Sequence, residues 1–161
     1  MASSFAWSES YSTGPTRVDT SFLNLLNTNT ASGADTTTNP AAAPIPIPAA
    51  GTNYSYERYL QGHWTGSFST ISSLYFWKSG GTPGTGLTLN AGAKGNQTFA
   101  TPVNTSSAIA TGGIPTTQGT GLTPAYSAAY SDYLVLQLAV GTTAAPGAMA
   151  TITYSIQWNE T

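Results

Sequence analysis

One histidine, six acidic and four basic residues make up nearly all the polar chemistry of this 161-residue chain apart from its hydroxyls and amides. His63 stands in "YLQGHWTG", with Glu57 shortly upstream and serines throughout, so a Ser–His–acid hydrolase is the first constellation to test. The strained G-x-S-x-G elbow that would expose a nucleophilic serine is missing. The acids Glu9, Asp19, Asp35, Glu57, Asp132 and Glu160 are scattered, with no D-x-D pair, no calcium loop and nothing that sets two carboxylates together for glycoside cleavage. With no cysteine and a single histidine, the donor set for a transition metal is poor, and neither a metal nor a cofactor is expected. "GGTPGTGLT" matches the glycine spacing of a phosphate loop at Gly81 and Gly86, and Thr88 occupies the magnesium-binding position. Leu87 replaces the lysine that reaches the phosphates, and a strand is expected where the loop needs a helix. A glycine-rich turn is the better reading, and the chain is expected not to be an enzyme.

The aromatic residues are the remaining chemistry. Trp64, Phe68, Tyr154 and Trp158 fall on faces expected to point inward, where packing is their role. Tyr126, Tyr130 and Tyr133 in "AYSAAYSDY" are candidates for an exposed patch; sugar stacking, a subunit interface and loop packing are all open to them. A carbohydrate-binding or particle-surface (tail or head) attachment module is therefore the alternative function.

Charged residues are 6% of the chain and the net charge is −2, so no basic face is available for nucleic acid or an acidic membrane. Apolar residues reach 40%, and the polar remainder is Thr, Ser, Gly and Asn, a composition typical of β proteins rather than disordered ones. So little charge also protects poorly against association, which points to a surface covered by partners. No run approaches a membrane span. The opening "MASSFAWSESYS" lacks the basic and apolar regions of a signal peptide, so synthesis in the cytoplasm is expected. The sequons at Asn53, Asn96, Asn104 and Asn159 are then chance in a Ser/Thr-rich chain.

The positioning elements divide at residue 50. Residues 1–50 read as an extended arm that docks either on its own domain or on a neighbour, anchored by Phe5, Trp7 and Tyr11 and then by "SFLNLLN", where Phe22, Leu25 and Leu26 have helical spacing behind Ser21 as a cap. "NPAAAPIPIPAAG" follows. Its alternating Pro44, Pro46 and Pro48 exclude a helix and a central strand and make a semi-rigid spacer carrying Ile45 and Ile47. Residues 51–161 change to a period of two. "YSYERYL" sets Tyr54, Tyr56 and Arg58 against Ser55, Glu57 and Tyr59, "SLYFWK" reads as a central strand, and "DYLVLQLAV" reads as a strand buried on both faces. "ATITYSIQW" alternates cleanly and is expected to form a hairpin with that buried strand. The fold class is all-β: an antiparallel β-sandwich or jelly roll with an extended N-terminal arm.

"YSYERYLQGHWTGSFSTISSLYFWKSGGTPGTGLTLNAG", with the closing "YSDYLVLQLAVGTTAAPGAMATITYSIQW", resembles virion structural proteins of tailed bacteriophages. The resemblance covers roughly residues 54–158 and implies a small β-rich particle protein, such as a capsid decoration (cement) protein that binds the major capsid protein and copies of itself. A homotrimer on the capsid surface is expected, since capsid lattices offer threefold sites. On that reading Phe5, Trp7, Tyr11, Phe22, Leu25, Leu26, Ile45 and Ile47 contact neighbours, and removing residues 1–38 leaves a folded domain that assembles poorly.

Overall fold

The structure is a computed structural model. It describes residues 3–21, 23–32, 41–94, 98–105, 117–118, 120–122, 129–147 and 149–161, except for the side chains of 93–94 and 120–122. It is all-β, and the strands in chain order are β1 Ser4–Tyr11, β2 Thr16–Thr20, β3 Thr52–Tyr54, β4 Arg58–Thr65, β5 Ile71–Gly80, β6 Leu87–Lys94, β7 Thr120–Leu122, β8 Tyr133–Gly141 and β9 Thr153–Glu160. All pairings are antiparallel.

The larger sheet runs β2–β1–β4–β8, with β3 and β6 also on β8. β6 and β4 pair with the same β8 residues, so they lie on opposite edges of that strand. β3 lies on the β4 side and is effectively its continuation. The step from Tyr54 to Arg58 faces the shorter step from Ala139 to Leu136, so one extra residue is accommodated between β3 and β4. That is a β-bulge, and it reverses which parity faces the core. Ser55 holds it closed: its amide donates to the Leu138 carbonyl at 2.9 Å, and its Oγ accepts from the Leu138 amide at 3.0 Å. The smaller sheet is β7–β5–β9.

Between the sheets lie Leu60 and Trp64 of β4, Leu134, Leu136, Leu138 and Val140 of β8, Leu89 of β6, and Ile71, Leu74 and Phe76 of β5. Ring contacts bridge the layers: Phe5 stacks on Trp158 at 5.0 Å, Trp64 meets Trp158 at 5.8 Å, and Trp7 meets Phe76 edge-on at 5.9 Å. Gly62 makes room for this cluster, because a Cβ there would sit 2.4 Å from the Trp64 ring. The outer face of β8 is covered too. Tyr59, Tyr133 and Val135 form a second buried cluster under Phe99 and Ala100, and the 98–105 segment is pinned where the Glu57 amide donates to the Val103 carbonyl at 3.0 Å. β8 is therefore buried on both faces, as its apolar run, broken only by Gln137, requires.

Three sequence expectations are corrected. The described part of residues 1–50, read as an arm docking on its own domain or on a neighbour, is built into the sandwich itself. β1 is an interior strand, paired with β4 from Ser4 to Ser10 and with β2 from Trp7 to Tyr11. Its alternation puts Phe5 and Trp7 into the core, and Leu25 and Ile45 pack on the same cluster. Residues 44–48 of the proline run form neither helix nor strand and lie against their own domain, with Ile45 on the core and the Pro46 carbonyl accepting from Asn53 Nδ2 at 2.8 Å. Residues 23–30 are not helical: Leu23 and Leu25 both pack on the core, a period of two that a helix would send to opposite sides. Finally, β8 and β9 form no hairpin. β8 already has partners on both edges, so the Gly141–Gly147 connection carries the chain across to the smaller sheet.

Candidate functional site

The hydrolase constellation assembles only in part. Register places Arg17 and Asp19 of β2 and His63 of β4 on the outer face of the larger sheet. His63 Nδ1 lies 3.0 Å from Asp19 Oδ2, so the acid that orients it is Asp19 and not Glu57. The imidazole stacks on Tyr130 at 4.4 Å with an 8° interplanar angle, and the Arg17 guanidinium lies 4.5 Å from the same ring. Among the described residues no serine hydrogen-bonds to His63. Glu57 is buried on the bulge, where its Oε2 accepts from the Val103 amide at 3.3 Å. Burial beside Glu57 raises the Tyr59 pKa well above the ordinary tyrosine value. This cluster joins β2 to β4 across β1, and its geometry is that of a brace.

A second polar centre was not anticipated from sequence. Arg58 and Glu9, both almost wholly buried, form an ion pair at 3.2 Å at one end of the sandwich interior. Glu9 also accepts from Ser32 Oγ at 2.8 Å and from the Ser32 amide at 2.9 Å. Arg58 donates to the carbonyls of Thr28 and Thr30. Burial lowers the Arg58 pKa below its ordinary value, against the opposing pull of Glu9. Residues 23–32 thus close the end of the sandwich through their backbone. The signal that was available is Arg58 inside an apolar strand, since a charge there demands a partner.

The residues expected to meet partners are scattered by the fold. Phe5, Trp7, Leu25 and Ile45 are packed on the core, Leu26 is buried, and Tyr11 is half-buried. Ile47 stays on the surface at 39% exposure. Tyr130 is half-buried in the His63 brace, while Phe22 and Tyr126 lie outside the described residues. Among the described residues no cluster of His, Cys, Asp or Glu is built to hold a metal.

The concave surface lies elsewhere, at the β3 end of the larger sheet's outer face. Two open grooves, of about 340 and 490 Å³, share Thr52 and Tyr54. The first is lined also by Asn27, Pro46, Asn53, Asn104 and Thr105. The second continues over Ala139 and Gly141 to Gly86, Leu87, Thr88 and Asn90. The bulge creates this arrangement: by putting Tyr54 opposite Ala139 it sends the ring outward instead of toward the core. Compared with family models, with curated proteins and with solved structures, the chain matches none.

Proposed function

We propose that this chain is a non-catalytic structural component of a virus particle, a capsid decoration protein that binds the major capsid protein and copies of itself, most simply as a trimer. The observation that carries the reading is where the charges go. Glu9 and Arg58 are paired inside, Asp19 holds His63, Arg17 lies over Tyr130, Lys78 donates to the Gly81 carbonyl, and Glu160 accepts from Ser3. Among the described residues the exposed charges are few and each of those named has a partner within the chain, so most of the described surface is hydroxyl, amide and apolar. A partner would meet it through area, shape and backbone pairing rather than ion pairs. Exposed Val18, Ile47, Tyr75 and Val103 offer apolar contacts. β6 and β9, each with one charged residue near its C-terminal end, offer strand edges to a neighbour. The resemblance of residues 54–158 to phage virion proteins points the same way.

The test is binding of the full chain to purified capsid shells that lack it, at about 0.05 and about 0.5 M NaCl. Saturable occupancy that is unchanged by salt is the expected result. No binding to shells, or binding that disappears at the higher salt, overturns the reading.

A further inference from the structure

We propose that the double groove around Tyr54 is a binding site for a neutral saccharide. The inference is independent of the virion reading and rests on three features of the groove.

The first is the lining chemistry. Asn27, Asn53, Asn90 and Asn104 supply amides, and Thr52, Thr88 and Thr105 supply hydroxyls, around the single aromatic ring of Tyr54. Among the described residues no lining residue is charged, so an anion or cation would leave water without compensation from them. The second is that these groups are largely uncommitted. Asn53 Nδ2 is engaged with Pro46, but among the described residues the side chains of Asn27, Asn90, Asn104, Thr52, Thr88 and Thr105 hold no hydrogen bond that would have to be broken. Each amide offers both donors and an acceptor, which suits hydroxyls that do both.

The third feature rules out strand addition by an extended peptide on the groove floor. The groove floor at Ala139 and Gly141 is backbone already paired on both sides, with β3 on one and with β6 and the Gly86 carbonyl on the other. No ladder bonds are left for strand addition there. What remains is a small-residue floor that allows close approach, a ring face for an apolar C–H surface, and surrounding hydroxyl-matching groups. A pyranose presents both kinds of surface at once. The groove volumes lie within the range of small-ligand sites.

The experiment is an NMR titration of the full chain with cellotriose, maltotriose, chitotriose and a neutral galactose-based trisaccharide, with a hyaluronan tetrasaccharide as the acidic comparison. With at least one neutral ligand, saturable shifts are expected in the Tyr54 ring and the Asn90 and Asn104 side-chain amides, at the millimolar affinity usual for few contacts. Tyr54→Ala should weaken that ligand at least about tenfold, while Tyr75→Ala, on the other sheet, should stay within about twofold. Asn90→Ala carries the test if Tyr54→Ala does not fold. The proposal is overturned if no neutral trisaccharide gives saturable shifts in the groove, if the shifts map elsewhere, if the folded groove variants bind like the parent chain, or if the acidic ligand is preferred.

Discussion

Replacing Glu9 by Leu should be among the most damaging single changes in this protein. Glu9 is 1% exposed and Arg58 is fully buried, so the substitution strands a guanidinium away from water with only the Thr28 and Thr30 carbonyls to hold it. The Ser32 amide and hydroxyl lose their bonds to the Glu9 carboxylate in the same step. Breaking a buried pair from one side costs about 3–5 kcal/mol, a large share of the roughly 5–15 kcal/mol that holds a domain together. With a urea m-value of about 2 kcal/mol/M, the unfolding midpoint should fall by about 2 M. The reasoning also requires an asymmetry. In the double variant Glu9→Leu with Arg58→Met the orphaned charge is gone, so most of the loss should be recovered, to within about 1 kcal/mol of the parent, because replacing a buried pair by apolar side chains is often neutral. Urea titrations of the four proteins of the cycle measure this directly. A single-variant cost under about 1 kcal/mol, or a double variant no better than Glu9→Leu alone, would refute the picture of a dry, mutually dependent pair.

Deleting residues 1–20 should abolish the fold, in contrast to the separable arm expected from sequence, because it removes β1 from the interior of the larger sheet along with Phe5, Trp7 and Glu9; a truncated chain with native-like near-UV circular dichroism would contradict this. Tyr59 and Tyr154 both titrate above the ordinary tyrosine value because burial disfavours the phenolate. Their folded pKa values exceed the unfolded one, so the stability they contribute is complete below about pH 10 and is lost as pH rises beyond it. Spectrophotometric titration should find that Tyr59 and Tyr154 ionise only with alkaline unfolding, and Tyr59→Phe and Tyr154→Phe should each remove one such group. Gly62→Ala should cost about 1–3 kcal/mol or more, since the new Cβ meets the Trp64 ring at 2.4 Å and the Phe5 ring at 3.1 Å in a packed core; thermal unfolding checks it, and an unchanged midpoint would show that the ring cluster is loose.

Some of this was legible from the chain alone because the signal is local. Period two in "ATITYSIQW" gives β9 with Tyr154, Ile156 and Trp158 on the core, and continuous apolarity in "DYLVLQLAV" gives a strand covered on both faces. Leu87 in place of the phosphate-loop lysine removes that motif, and β6 follows where a helix would be needed. Other expectations failed because the deciding partner is remote. Phe5, Trp7 and Leu25 carry the same apolar signal whether they meet a neighbour or their own core. Only β4 and the Trp64–Trp158 cluster, far along the sequence, settle which it is.

By itself, then, the sequence determined the β class, the strands with clean alternation, the exclusion of helix and strand from residues 44–48 and the scarcity of charge, because each follows from neighbouring residues and elementary sterics. Tertiary structure alone decided the face on which each residue of "YSYERYL" lies. A single extra residue before Arg58, closed by Ser55 against Leu138, turns Tyr54 out to the groove and Arg58 in to Glu9. Side-chain parity in a strand is set by pairing with its neighbour, and that neighbour, β8, is not within reach of local pattern.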